Sequence, residues 1–172
     1  VAGTVFKKSG HGLRLSAQHR AWQSPMGKLE GVLGWQSSGS DFEADGDEAF
    51  MPSTNTKESA LYLVEELSPD WGKFSLGLRA EQVKVKGDAF ATGYDPDNIA
   101  ATSKRFTPFS VSIGSLVYLS PTFKLTGHLA RTQRAPKDYE LRANGVHVAS
   151  SAVEVGTPTL ATEKAWQADI GL

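Results

Sequence analysis

The feature that most constrains this chain is the way its connections alternate. Three tight turns, Ser24-Pro25-Met26-Gly27, Ser68-Pro69-Asp70-Trp71-Gly72 and Ser120-Pro121-Thr122, are separated by long links at 40–55, 87–106 and 134–163. Proline fixes φ and glycine tolerates positive φ, so these short runs read as reversals of direction. Links longer than about 12–15 residues are uncommon in compact soluble domains. Short turns at one end and long loops at the other are what an up-and-down outer-membrane barrel requires.

The segments between connections alternate with period two, the mark of a strand with one apolar face. Over 12–23, Leu13, Leu15, Ala17 and Ala21 oppose Arg14, Ser16, Gln18 and Arg20. Over 28–36, Leu29, Gly31, Leu33 and Trp35 oppose Lys28, Glu30, Gly34 and Gln36, with Val32 out of phase. Phe74, Leu76, Leu78 and Ala80 form the clearest stripe; Phe109, Val111, Ile113, Val117 and Leu119 form the next. Phe123, Leu125 and Leu129 follow, and Trp166, Ala168, Ile170 and Leu172 close the series. The 56–67 segment is apolar with ambiguous phase. Its neighbours make it a strand, although a helix fits its composition and its register stays open.

The expected architecture is all-β: antiparallel up-and-down strands, about seven of them, forming part of a larger transmembrane β-barrel. The strands run about as long as the ~9–11 residues a tilted membrane strand needs, against ~5–6 in soluble sheets. Trp22, Trp35, Trp71, Phe74, Tyr118, Phe123 and Trp166 cluster near strand ends, as interfacial girdles do. Aromatic residues also favour strands generally. Bacterial barrels close with even strand numbers, so seven strands imply missing wall.

Composition narrows function further. A net charge of −1 over 172 residues gives no electrostatic reason to expect nucleic acid. The absence of cysteine removes disulfides, thiolate metal sites and thiol catalysis. No apolar run reaches the length of a transmembrane helix, which says nothing against strands. Val1 to Ser9 lacks the apolar core of a signal peptide, so an exported protein would be processed or represented here in part. No phosphate-cradling glycine loop or nucleophile elbow occurs, and no spacing of Ser, His and Asp singles out a triad. The chain therefore reads as a non-enzyme without a resident cofactor.

The segment from Arg134 to Lys164 carries a composite pattern. Arg134-x-Pro136, Tyr139-Glu140-Leu141, Asn144-Gly145-x-His147 and Glu154-x-Gly156-x-x-x-Leu160-x-x-Glu163 follow in that order, ahead of the strand at 165–172. This series resembles the TonB-dependent outer-membrane receptors. Phe50-Met51-Pro52-x-Thr54-x-Thr56, leading to Leu61 and Glu65-Glu66, resembles a loop and strand of the same family. The histidine-containing loop is most similar to the zinc- and metal-uptake receptors. The resemblance implies a barrel of about 22 strands with a plugged lumen, energised by an inner-membrane TonB complex acting on the plug. Residues 1–172 would then be a partial barrel domain, without plug, in the Gram-negative outer membrane. Its partners would be outer-membrane lipid, the TonB complex through the plug, and a small metal-containing substrate: zinc, a ferric siderophore or haem.

Candidate ligands follow from residue chemistry. His147, two residues past an Asn-Gly turn signal, is the first choice for a metal, because neutral imidazole is a common zinc ligand; the alternative is a structural loop histidine. His11, in a Ser-Gly-His-Gly run read as a loop, is the second. Asp41, Glu43 and Asp45 open an acidic run (through Glu48) that begins like a calcium loop, with oxygens at alternate positions and glycine sixth. Pro52 stands where the closing glutamate should be, and a solvated loop or cation-attracting mouth fits better. Arg131, Arg134 and Lys137 read as a solvated basic face, with the lumen or lipid phosphates as functional alternatives. His128 should face the interior. His19 falls on the apolar parity of its strand, which a membrane wall tolerates only near the interface.

Two other classes compete. A soluble, self-contained β-sandwich or barrel that binds a ligand or partner would pack the apolar stripes against each other and stay monomeric without detergent. An enzyme on a β-scaffold would need a constellation that is not found. An isolated barrel segment would instead expose strand edges and apolar faces and self-associate.

Overall fold

The computed structural model describes residues 4–46, 48–90, 93–148 and 150–172. The strands are β1 (Val5–Gln18), β2 (Trp22–Ser24), β3 (Gly27–Asp45), β4 (Thr54–Ser68), β5 (Gly72–Gly87), β6 (Thr102–Phe106), β7 (Phe109–Tyr118), β8 (Lys124–Arg134), β9 (Asn144–His147), β10 (Ala152–Val155) and β11 (Glu163–Gly171). A single turn of helix, α1 (Asp138–Arg142), precedes β9.

The main sheet runs β1-β3-β4-β5-β7-β8-β11, with β2 added to β3 and β6 added to β5; β9 and β10 form a separate hairpin. Every pairing along the path is antiparallel. The seven strands of the path are the seven expected, connected up and down as a piece of barrel wall. One continuous sheet replaces the two packed sheets a sandwich would need.

Register fixes two faces. Leu13, Leu15, Leu33, Leu61, Leu63, Leu78, Val111, Ile113 and Leu129 share one face across six strands. Arg14, Gln36, Tyr62, Arg79, Ser110, Ser112, His128 and Thr132 share the other. The apolar face is the exposed one: Leu13, Leu33, Leu61 and Ile113 each keep more than half of their surface. Such a surface is stable only against lipid. The buried wall residues Ala60, Val83, Val85 and Ala130 all lie on the polar, concave side.

The 56–67 segment is a strand throughout, as its neighbours suggested, and pairing of Leu63 with both Leu33 and Leu78 sets its register. At the tight-turn end, Trp22, Leu29, Leu67 and Phe74 form one outward rung, and the Trp71 ring meets Phe74 edge-on at 5.2 Å. Tyr118 does not join this girdle. It pairs with Lys124 on the lumen side, where Lys124 Nζ sits 5.7 Å from its ring centre.

Gly27 explains how the first turn fits. Its φ is +126°, and a Cβ there would lie 2.6 Å from Ser68 O and Pro69 N. The first turn is thus pressed directly against the second.

The long links are shorter and more ordered than the sequence suggests. β3 and β4 continue their ladder through Phe42 and Thr54, leaving 46–53 as the first link. Alternating polar residues do not stop a backbone ladder, so these strands extend beyond the apolar belt. The second link contains β6, and the third contains α1 and the β9–β10 hairpin. The third link folds inward: Leu141 and Ala135 pack on Val83, Val85 and Phe106, the largest apolar core among the described residues.

Candidate functional site

The site is the mouth, where the three links meet. A buried polar knot joins them. Arg142 Nη1 donates to Asn98 Oδ1 (2.6 Å) and Nη2 to Asp88 O (2.8 Å). Asn98 Nδ2 donates back to Leu141 O and Gly156 O at 3.2 and 3.1 Å. Asn144 receives Asp95 N–H at 2.6 Å and donates to Asp95 O and Asn98 O. Its own backbone N–H donates to Phe50 O at 2.6 Å. Arg142, Asn98 and Asn144 are 0–1% exposed, and the bonds that Asn98 makes with Arg142, Leu141, Gly156 and Asn144 lie in the buried interior, where losing one is costly. At Gly156 a Cβ would lie 2.7 Å from Leu141 C and Arg142 N, so only glycine allows that approach.

The knot places His147. With Asn144 tied to Phe50, the β9 hairpin lies over the first link. The His147 ring then stacks on Phe50, with centres 4.5 Å apart and planes 16° apart. Phe50 in turn meets Phe6, and Phe6 meets Phe42, at 5.8 and 6.2 Å. Across the hairpin, His147 Nδ1 and Glu154 Oε1 are 2.7 Å apart. That contact leaves Nε2 without a hydrogen-bond partner among the described residues. A carboxylate behind one ring nitrogen orients the imidazole and makes the other a better ligand.

Below the hairpin lies a polar cavity of about 250 Å³, lined by Lys8, Glu58, Glu81, Arg134, Lys137 and Asp138 among others. Arg134 organises its rim, donating from Nη1 and Nη2 to both Glu140 oxygens (2.8 and 3.0 Å) and from Nε to Glu163 (3.0 Å). The Arg134 guanidinium, followed by the Lys137 N–H, holds the Glu140 carboxyl below the usual carboxylate range. Deeper in the lumen, Arg14 Nε donates to Tyr62 Oη at 2.8 Å with its guanidinium over the ring. Arg79 pairs with Glu81 at 2.5 Å.

Several sequence expectations need correction. His11 is not in a loop: it stands within β1 opposite Gly39, its ring over the space a Cβ at Gly39 would fill. The acidic run is strand up to Asp45. Asp41, Glu43 and Asp45 share one face of extended β3, and residues two apart on a strand are separated by ~7 Å. They stand in a row and do not wrap a point, and Asp41 is occupied by Asn55 Nδ2 at 2.6 Å; Asp47 lies outside the described residues. None of these four is brought to His147. The basic residues do not form one face either. Arg131 points outward over Trp166, 5.9 Å from its ring centre, whereas Arg134 and Lys137 border the lumen cavity. His128 does face the interior, 3.5 Å from Asp169. Among the described residues, no three His, Asp or Glu side chains gather into a ready-made metal cluster.

The comparison with protein families agrees with this architecture. Residues 3–172 match the model described as TonB dependent receptor-like, beta-barrel. The chain belongs to the TonB-dependent receptor β-barrel family. Members of this family are transporters of the Gram-negative outer membrane that work with a plug domain and TonB. In outer-membrane barrels the short turns are periplasmic and the long links extracellular. The match covers the wall and the mouth alike.

Sequence reasoning singled out His147 without pairing it to Glu154, and it passed over Asn98 entirely. The Glu154 pairing had a signal: both residues lie in short apolar-polar alternations separated by a turn. Asn98 had none, because the knot joins positions more than forty residues apart.

Proposed function

We propose that this chain supplies wall and mouth of a receptor that imports a metal ion or metal complex, with His147 as the first protein contact to the metal. The observation that carries this reading is the His147 geometry: Nδ1 engaged by Glu154 at 2.7 Å, ring stacked on Phe50, Nε2 open. A single oriented imidazole suits a metal that arrives with most of its ligands and keeps one position open, so haem, whose iron takes an axial histidine, fits better than bare zinc or a ferric chelate saturated by its own oxygens. From the mouth the substrate would pass to the polar cavity below, where Lys8, Arg134 and Lys137 face Glu58 and Glu81. No step of this calls for a catalytic group or a resident cofactor. The plug and the TonB contact would come from chain beyond these residues. The segment expressed alone would self-associate through the free edges of β1 and β11.

The test is binding of zinc ion, a ferric hydroxamate chelate and haem to the full-length receptor and to its His147→Ala and Glu154→Gln forms. One probe should bind and lose about 10–100-fold in affinity in Glu154→Gln, the range for removing a ligand-orienting carboxylate, and more in His147→Ala. Unchanged affinity in both variants, or no binding of any probe to the unmodified receptor, overturns the reading.

A further inference from the structure

One polar contact on the lipid side of the wall serves neither the mouth nor the lumen. Glu65 interrupts the outward stripe Leu61, Leu63, Leu67 on β4, one rung further into the membrane than the Trp22–Leu29–Leu67–Phe74 rung. Carboxylates on a lipid-facing wall are costly, and where they occur they mark a site.

The surroundings are built for it. β1 pairs with β3 in one register up to Gln18–Val32, and β2 resumes at Trp22–Leu29 one residue out of step. Three residues, His19, Arg20 and Ala21, thus oppose two, a bulge that re-aims side chains. Opposite Glu65 stands Gly31, and a Cβ there would lie 2.4 Å from the Glu65 carboxylate. The acid therefore lies across β3 through the space that glycine leaves, and reaches His19 Nε2 at 3.1 Å. His19 Nδ1–H donates to Arg20 O at 2.8 Å. Both imidazole nitrogens are used. Glu65 Oε1 has no donor among the described residues, although its side chain is 22% exposed, and His19 is 42% exposed. Arg20, next to His19 in the bulge, is exposed and has no ion-pair partner among the described residues.

We propose that Glu65, Arg20 and His19 form a binding site on the outer wall for the headgroup of an aminophospholipid of the periplasmic leaflet. The open position is an acceptor, so it calls for an N–H donor, and the neighbouring guanidinium calls for a phosphate. A primary ammonium joined to a phosphate by a two-carbon link carries both. A choline headgroup has no N–H to give Glu65, and a glycerol headgroup brings a phosphate but no positive charge. Trp22 and Trp71, at the adjoining turn end, are the interfacial residues that flank such a headgroup. This inference rests on the membrane barrel alone and is independent of what the receptor carries.

The experiment uses the full-length receptor in mild detergent with equal amounts of phosphatidylethanolamine, phosphatidylglycerol and phosphatidylcholine. Retained lipid is counted by native mass spectrometry. Unmodified receptor should retain phosphatidylethanolamine about tenfold over each of the others. Glu65→Leu, which completes the apolar stripe, should bring the three to parity. Arg20→Gln should lower phosphatidylethanolamine occupancy while keeping it above phosphatidylcholine. Heat-dependent gel migration reports whether each variant is a folded barrel, and the preference of the unmodified receptor decides the question even if Glu65→Leu does not fold. Parity in the unmodified receptor, a preference for phosphatidylglycerol, or an undiminished preference in a folded Glu65→Leu barrel overturns the proposal.

Discussion

Arg142 and Asn98 come from different extracellular links and meet at 2.6 Å in the driest part of the mouth, Nη1 donating to Oδ1. No carboxylate pairs with this guanidinium among the described residues; the side-chain oxygen of Asn98 and the main-chain oxygen of Asp88 receive it. The second and third links are thereby tied to each other, and through Asn144 and Phe50 to the first. Arg142→Leu should leave the buried Asn98 Oδ1 unpaired, at about 1–3 kcal/mol, while the main-chain oxygen of the exposed Asp88 can turn to water. Limited proteolysis should then cut within 88–101 and 143–162, while heat-dependent gel migration shows the barrel intact. Links that stay protected would mean that the apolar contacts of Leu141 suffice to hold the mouth.

Glu140 makes the rim of the mouth sensitive to acid. Its carboxyl is held below its ordinary value of 4.5 by Arg134 and the Lys137 N–H. A depressed carboxylate contributes stability that is fully present above the unfolded value and is lost as pH falls through the folded one. The loss therefore begins below about 4.5 and continues downward. Hydrogen exchange of the α1 amides should be flat from neutral pH to that point, after correction for intrinsic rates, and rise beneath it. In Arg134→Gln the acid-dependent rise should be largely absent.

How much of this was legible beforehand divides along the distance over which each feature is determined. The wall was readable because Phe74, Leu76 and Leu78 alternate with Ser75, Gly77 and Arg79 whatever they pair with. Even 56–67 was placed correctly, since a segment between two strands in an up-and-down wall has little choice. The strand ends were not readable: Asp41, Glu43 and Asp45 look like loop because they are acidic, but a ladder needs only backbone groups. His11 was misplaced for the same reason, its glycine neighbours suggesting a turn where they instead accompany a strand. The Arg134–Glu163 pattern was recognisable as a family signature without any reason for it. The structure supplies the reasons: Arg134 clasps Glu140 and Glu163, Leu141 fills the core, Asn144 ties the links, and Glu154 orients His147. His19 looked like an error in an apolar stripe until Glu65 and Gly31 were seen beside it.

Gly34 holds open the space for Tyr62. A Cβ at Gly34 would fall 2.0 Å from the Tyr62 ring, and that ring is what supports the Arg14 guanidinium. Gly34→Val should push the ring aside and lower stability by about 1–3 kcal/mol, the usual cost of overpacking. Arg14→Gln, which keeps the backbone and removes the cation, should cost less. Urea unfolding in lipid vesicles ranks the two, and the reverse order would place the strain elsewhere than at Tyr62.

Ile113 and Ser112 are neighbours in β7 that face opposite solvents. Ile113 lies on the outward rung with Leu76 and Leu129 and keeps 51% of its surface. Ser112 faces the lumen opposite Gly77 and Ala130. Lysine on the lipid face of a barrel costs about 2–4 kcal/mol near mid-membrane, whereas lumen positions are tolerant. Ile113 shares its rung with Leu76 and Glu65, one step in from the Trp22–Phe74 rung, so Ile113→Lys should lose an intermediate amount, about 1–2 kcal/mol, in vesicle-based urea unfolding, and Ser112→Lys should stay close to the parent. Polar side chains such as Ser110 and His128 line the lumen face, so an added ammonium there has polar neighbours; beside Ile113 its only escape is to reach along the wall toward an interface. Equal effects at the two positions would contradict the assignment of the apolar stripe to lipid, and a larger loss at Ser112 would exchange the two faces.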